Sequence, residues 1–351
     1  MSEVVITDPA YSSAGHPSGR LLEVEDLRVE FRTRDGVAKV INGVTYHVDA
    51  GETLAVLGES GSGKSVTAQA IMGILDTPPG FVTGGQIRFH GEDMLTMSDE
   101  GRRKIRGNGI AMVFQDALSA LNPVFNIGFQ IGEQFRVRQG LSRKEAKKRT
   151  IELLDQVKIP NAKQRVSEFP HQFSGGMRQR VMIAMAIALD PRILIADEPT
   201  TALDVTVQAQ VMDLLKELQR ETGMGLVLIT HDLGVVNEVA DNVAVMYAGR
   251  IVERGTVDDV FTTPGHPYTE GLMKSVPNVE AKGGRLQPIT GQPPNLSRIP
   301  SGCPFHPRCA RRRLGAEAAP GRDCAVDRPP LRLVVPGREA ACHYSEEVLG
   351  V

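Results

Sequence analysis

Gly58-Glu59-Ser60-Gly61-Ser62-Gly63-Lys64-Ser65 stands between the apolar run Thr53-Leu54-Ala55-Val56-Leu57 and the stretch Val66-Thr67-Ala68-Gln69-Ala70-Ile71-Met72-Gly73-Ile74-Leu75. The first run reads as a buried strand and the second as a helix, so the glycine-rich turn joins a strand end to a helix start. A backbone that must bend tightly and aim several N–H groups at one anion needs glycine where a side chain would collide. Lys64 adds a point charge able to reach β and γ phosphates, and the Ser65 hydroxyl can take one position on Mg²⁺. Gly58, Ser60, Gly61, Gly63 and Val66 complete the expected nucleotide contacts of this loop. A flexible Gly/Ser linker has no reason to carry Lys-Ser between a strand and a helix.

The chain has 351 residues, enough for a sizeable domain with a smaller one beside it. A hydrophobic content of 41% with 23% charged residues is ordinary for a folded globular protein, which excludes a wholly disordered chain. The net charge of -2 gives no polyanion-binding surface, so a nucleic-acid partner is not expected. No apolar run reaches the roughly eighteen residues of a membrane-spanning helix. Met1 to Arg20 has no apolar core and reads as a disordered tail rather than a signal peptide or an anchor.

Outward from the loop, Leu21 to Arg32 alternates apolar and polar residues, and Val37 to Val48 does so less strictly, as antiparallel strands do. Phe31 could stack on an adenine ring, or simply fill the strand's core side. Gln86 to Gly91 reads as an edge strand, and Ile110 to Phe114 as a buried parallel strand ending at Gln115. Ile127 to Gln172 changes to a helical period, with a capped start at Ser142 and a stripe of Ile151, Leu153, Leu154 and Val157. Next come a helix through Val181 to Leu189, the strand Arg192 to Ala196, a helix from about Val205 to Thr222 and the strand Gly225 to Ile229. Two further strands lie near Val243 to Tyr247 and Arg250 to Arg254, and from Pro264 onward Pro, Gly and Arg accumulate.

The expected architecture is therefore α/β: a doubly wound phosphate-loop core over residues 21–262, an antiparallel β subdomain, and an inserted helical subdomain at about 120–185. A small irregular cysteine-rich extension fills 263–351. In such a sheet ligands sit at the carboxyl ends of the strands, where several polar residues emerge together. Asp197 suits the waters around Mg²⁺, and Glu198 suits a base that polarises an attacking water. Gln115 can ligate Mg²⁺ and His231 can hydrogen-bond a γ-phosphate. Ser174-Gly175-Gly176 begins another helix whose N-terminus attracts anions. One nucleotide seldom needs two such sites in one chain, so this one is expected to cap the γ-phosphate held by another subunit.

Taken in order, these motifs resemble those of the ATP-binding subunits of ABC transporters over residues 21–262. The Walker A loop matches Gly58 to Ser65, the Q-loop Gln115, the signature Ser174 to Met177 and the Walker B end Asp197. Glu198 matches the catalytic glutamate, Ala202-Leu203-Asp204 the D-loop and His231 the switch histidine. Phe173 and Met177 depart from the usual Leu-Ser-Gly-Gly-Gln signature without touching its phosphate-contacting Ser174, Gly175 and Gly176. Asn122-Pro123, Gly265-His266-Pro267-Tyr268-Thr269, Gly291-Gln292-Pro293-Pro294 and Gly302-Cys303-Pro304-Phe305-His306-Pro307-Arg308-Cys309 are similar to the oligopeptide, dipeptide and nickel importer ATPases.

The resemblance implies ATP hydrolysis with Mg²⁺ at the cytoplasmic face of the cell membrane. It further implies a second, paralogous ATPase subunit, two transmembrane permeases and a periplasmic or lipid-anchored solute-binding protein. The solute is a peptide, or else nickel, glutathione or an oligosaccharide. A membrane-free ABC ATPase of DNA repair or the ribosome is the rival reading, but the coiled coils or fused second ATPase usual there are missing. A non-hydrolysing regulatory binder is the other.

All four cysteines follow residue 300, as Cys303, Cys309, Cys324 and Cys342 in the pattern C-x5-C-x14-C-x17-C. Thiols gathered in one short segment suit a metal more than disulfides, and both zinc and an iron–sulfur cluster accept four thiolates. The pattern lacks the C-x2-C knuckles usual for zinc, and the resemblance implies a [4Fe-4S] cluster. His306 and His343 are read as structural.

Overall fold

The structure, a computed structural model, describes residues 19–34, 36–201, 203–275, 288–313 and 323–350. Nearly all of the expected N-terminal tail, and Ala202 of the D-loop triplet, lie outside them. The chain opens with β1 (Arg20–Thr33), β2 (Gly36–Asp49) and the short β3 (Thr53–Leu57). After the phosphate loop come β4 (Gly80–Phe89) and β5 (Glu92–Asp93). All of these but β3 form one antiparallel sheet ordered β2-β1-β4-β5. Leu22, Val24, Leu27 and Val29 of β1 are fully buried against Val44, Tyr46 and Val48 of β2, the inward face of that alternation.

The second sheet contains β3 together with β6 (Ile110–Val113), β7 (Ile193–Asp197), β8 (Gly225–Ile229), β9 (Asn242–Tyr247) and β10 (Arg250–Thr256). It ends in a hairpin of β11 (Arg332–Val335) and β12 (Arg338–Ala340), in the order β11-β12-β10-β9-β3-β8-β7-β6. The run β9-β3-β8-β7-β6 is parallel. Every residue of β3, β6, β7 and β8 is buried, which is why these strands read as unbroken apolar runs. Each Leu, Ile or Val so buried contributes about 1.5–3 kcal/mol.

Between β6 and β7 the chain makes the helices Ile127–Gln139, Arg143–Gln156, Ala162–Arg165 and Gly175–Ile187. Ser142 and Glu145 form a reciprocal capping box at the start of the second. Ile131, Phe135, Leu154 and Val157 pack against Val181, Ile183, Val211 and Leu215, binding this helical insertion to the sheet. The helix after the phosphate loop runs Lys64–Met72, two residues earlier than the apolar spacing suggests. Its end is set by Gly73, left-handed at φ 61° with its N–H on Ala70 O.

The cysteine-rich extension has a part that no sequence pattern announces. Its hairpin continues the sheet, pairing Ala340 with Glu253 and Glu339 with Arg254. Beneath it Glu253 and Arg338, 0% and 3% exposed, form an ion pair with Arg338 Nη2 at 2.7 Å from Glu253 Oε1. Glu253 also accepts the Gly265 N–H (2.6 Å) and the His266 N–H (3.0 Å).

His266 caps the helix Pro267–Lys274, its Nδ1 accepting the Tyr268 N–H at 3.0 Å. Burial lowers its pKa to about 3. An unfolded histidine titrates near 6.5, so the folded value is depressed, and the folded state needs the neutral ring. That contribution is complete above about pH 6.5 and is lost as the pH falls towards 3. His266→Asn keeps a capping acceptor but does not titrate. The gap between denaturant midpoints at about pH 7.5 and about pH 5 should be narrower for this variant than for the parent. Equal acid sensitivity of the two chains would remove His266 as the cause.

Candidate nucleotide site

The phosphate loop leaves β3 at the carboxyl edge of the parallel sheet. Gly58 has φ 153°, and a Cβ there would lie 2.3 Å from the Met246 carbonyl oxygen of β9. Gly63 has φ 107°, and a Cβ there would meet Ile41 Cδ1 at 2.6 Å. Both positions exclude side chains, as the spacing requires. Ser60 and Gly61 are exposed at the tip, and Val66 packs half-buried against the core below.

Lys64 is 6% exposed, and its Nζ donates to the carbonyls of Gly58 (2.8 Å) and Glu59 (3.1 Å). Burial lowers its pKa, while the carboxylates of Glu198, Asp197 and Glu59 act in the opposite direction. The lysine is therefore folded back over its own loop, ready to exchange carbonyls for phosphate oxygens. Ser65 Oγ donates to Asp197 Oδ1 at 3.0 Å, joining the helix start to the end of β7. Burial pushes the Asp197 carboxyl upward and the Ser65 hydrogen bond counters it. A divalent cation would reverse that balance, because two oxygen ligands and a negative charge already face each other there.

Glu198 follows at φ 45°, left-handed backbone for a residue with a side chain. Its N–H is fixed on the Ile229 carbonyl at 2.8 Å. Its Oε2 accepts from Gln115 Nε2 (2.8 Å) and Thr201 Oγ1 (2.9 Å), and its Oε1 lies 3.3 Å from His231 Nδ1. The ends of β6, β7 and β8 thus bring Gln115, Glu198 and His231 together, as expected from their places after buried strands. Thr201 is a contact that the sequence did not single out, since a threonine in a loop carries no distinguishing signal.

Two expected residues stand apart from this cluster. Ser174 caps Gly175–Ile187 by accepting the Met177 N–H at 3.4 Å, and Asp204 caps Val205–Thr222 by accepting the Val207 N–H at 2.9 Å. Neither is hydrogen-bonded to the phosphate loop. Gly176 is required locally, since its Cβ would come 2.4 Å from Val207 Cγ1, and Gly175 lies against Leu203. Phe31 is half-buried and packs on the antiparallel sheet's core.

The four tail cysteines carry free thiols and line one cavity with His266, Phe305 and Tyr344. Burial pushes the Cys303 thiol up to about 11 and the Cys342 thiol up to about 12, so thiolates there need a compensating cation. Among the described residues, no group of three or more His, Cys, Asp or Glu side chains is arranged to hold a metal ion. The thiols therefore have suitable chemistry and a common cavity but do not form a ligand set. His306 and His343 each place a ring nitrogen against a backbone carbonyl, those of Cys303 and Asp327.

A glycine cradle, a buried lysine, a Ser–Asp pair and a tethered glutamate at the carboxyl edge of a parallel sheet define a phosphate-loop ATPase. The chain belongs to the ATP-binding subunits of ABC transporters. The family model "ABC transporter" matches residues 41–201, and "Oligopeptide/dipeptide transporter, C-terminal region" matches 252–314. The oligopeptide transport ATP-binding protein OppD of Salmonella typhimurium is 47% identical over 338 residues, covering 96% of this chain and 98% of the relative. The dipeptide transport ATP-binding protein DppD of Bacillus subtilis is 50% identical over 309 residues, covering 88% and 92%. Among solved structures, a dimeric ATP-binding cassette in a post-hydrolysis state with ADP and phosphate matches with a TM-score of 0.60 at 28% identity. The match covers 68% of this chain and 99% of that one. Among the described residues no helix is long and apolar enough to cross a membrane.

Proposed function

We propose that this chain is the ATP-hydrolysing subunit of a peptide importer, working at the cytoplasmic face of the membrane beneath two permeases fed by a solute-binding protein. The observation that carries the peptide reading is the joint match of the cassette and of the oligopeptide/dipeptide C-terminal region in one chain whose relatives are peptide transport ATP-binding proteins. We divide it into a cassette of about residues 21–262, with its helical subdomain near 120–185, and an extension over 263–351.

In this reading Gly58, Ser60, Gly61, Gly63, Lys64, Ser65 and Val66 hold the triphosphate. Ser65, Gln115 and Asp197 would hold Mg²⁺, which would neutralise phosphate charge when bound. Glu198 takes the proton of the attacking water, and His231, already beside Glu198, hydrogen-bonds the γ-phosphate. Ser174, Gly175, Gly176 and Asp204 serve the nucleotide of a second subunit, a paralogue of this one; Ser174 and Asp204 make no hydrogen bond to the phosphate loop of their own chain. Closing and reopening of that pair drives the permeases. We also propose a metal in the extension, a [4Fe-4S] cluster in preference to zinc: the four thiols share one cavity, although as they stand they form no ligand set, and the missing C-x2-C knuckles speak against zinc.

The test is the assembled transporter, purified without air and reconstituted with its permeases and solute-binding protein. Peptide-loaded binding protein should stimulate phosphate release and peptide uptake, and the preparation should contain iron and acid-labile sulfide. Stimulation by nickel or a sugar in place of peptide would reassign the solute. Zinc, or no metal at all, would dismiss the cluster.

A further inference from the structure

Glu59 is the second residue of the phosphate loop, and each of its three polar groups is held by a different part of the chain. Its N–H donates to Tyr268 Oη at 2.8 Å. Its carbonyl accepts from Lys64 Nζ at 3.1 Å. Its carboxylate receives both arms of the Arg308 guanidinium, Nη1 to Oε2 at 2.6 Å and Nη2 to Oε1 at 2.9 Å. Tyr268 and Arg308 both belong to the extension, 209 and 249 residues further along the chain.

Arg308 is not a loose surface partner. Its side chain is 5% exposed, its Nε donates to the Thr290 carbonyl at 3.2 Å, and its Nη1 also lies 3.4 Å from Tyr247 Oη. The rings of Tyr247, Tyr268 and Phe305 pack with centroids 4.6 to 5.4 Å apart. The guanidinium carbon lies 5.8 Å from the Tyr247 ring and 5.9 Å from that of Phe305. Tyr247 is the last residue of β9, the strand beside β3, so the fork is fixed to the same sheet that carries the loop. A planar, bidentate and buried fork is the geometry in which an Arg–carboxylate pair sets position as well as charge.

We propose that Arg308 and Tyr268 are positioning residues for nucleotide binding, holding the Glu59 peptide so that the phosphate loop keeps its open shape when Lys64 leaves its carbonyls. The nucleotide then meets a loop already ordered and does not bear the cost of ordering it. This rests on the reading of Gly58 to Ser65 as the triphosphate cradle. It assigns the extension a part in ATP affinity.

The test is equilibrium binding of a fluorescent ATP analogue with Mg²⁺ to the full chain, with thermal unfolding run alongside. Arg308→Ala should weaken binding about tenfold or more, Arg308→Lys by less, and Tyr268→Phe about threefold, in line with loss of charged and neutral hydrogen bonds. In the assembled transporter the same variants should raise KM for ATP while leaving kcat close to the parent's. A purely structural role would lower the melting temperature and leave KM unmoved. Folded Arg308→Ala and Tyr268→Phe chains that bind with parental affinity overturn the proposal. If Arg308→Ala does not fold, Tyr268→Phe decides, since it keeps the ring. Lys64→Ala separates the two levels: if that variant binds as well as the parent, the cradle reading itself fails.

Discussion

Glu198→Gln should leave ATP binding intact and lower turnover by about 10²–10⁴-fold, the range of a general base. The amide occupies the same volume, and its oxygen can still accept from Gln115 Nε2 or Thr201 Oγ1, the two donors on the carboxylate. What it cannot do is take a proton. The backbone at φ 45° stays pinned by the Ile229 carbonyl, so the side chain's placement does not depend on its charge. Nucleotide binding and phosphate release by the assembled transporter should therefore separate cleanly in this variant. Undiminished phosphate release would take the proton-accepting role away from Glu198.

Arg338→Met should destabilise the fold by about 3–5 kcal/mol, the cost of leaving one member of a buried ion pair without its partner. Glu253 is 0% exposed and would be left with uncharged donors such as the N–H groups of Gly265 and His266. Burial already raises its pKa, and losing Arg338 would raise it further, so the deficit should shrink as the pH falls and the carboxyl takes up a proton. Urea unfolding of the parent, of Arg338→Met and of Arg338→Met with Glu253→Gln measures the pair. The double variant should recover much of the loss, because the stranded charge is gone. A single variant as stable as the parent would mean the pair contributes nothing.

The nucleotide site was legible because its parts are local. β3, β6, β7 and β8 are buried on both faces and therefore read as continuous apolar runs; β7 ends on Asp197, Gln115 and His231 follow β6 and β8 by two residues, and the phosphate loop follows β3. Gln115, Glu198 and His231 could be brought together on that ground alone. The starting point of Lys64–Met72 was less visible, since Lys64 and Ser65 are polar residues of a first helical turn that faces the ligand instead of the core.

Contacts made across long sequence separations left no such trace. The Arg308–Glu59 pair spans 249 residues, and although each residue lies inside a motif, neither motif indicates that the two meet. β11 and β12 are four and three residues long, too short for an alternation to show in a segment rich in Pro and Arg. The thiols are the converse case. Their grouping was plain from the spacing, and they do line one cavity, but ligand geometry is a matter of ångströms that spacing does not specify.

The hairpin's place in the sheet makes the tail difficult to dispense with. A chain shortened to end before β11 would lay bare the outer margin of β10, with unpaired N–H and C=O groups beside the apolar residues Ile251 and Val252. An open strand margin of that kind recruits other chains. Such a shortened cassette should collect in inclusion bodies, however complete its catalytic motifs.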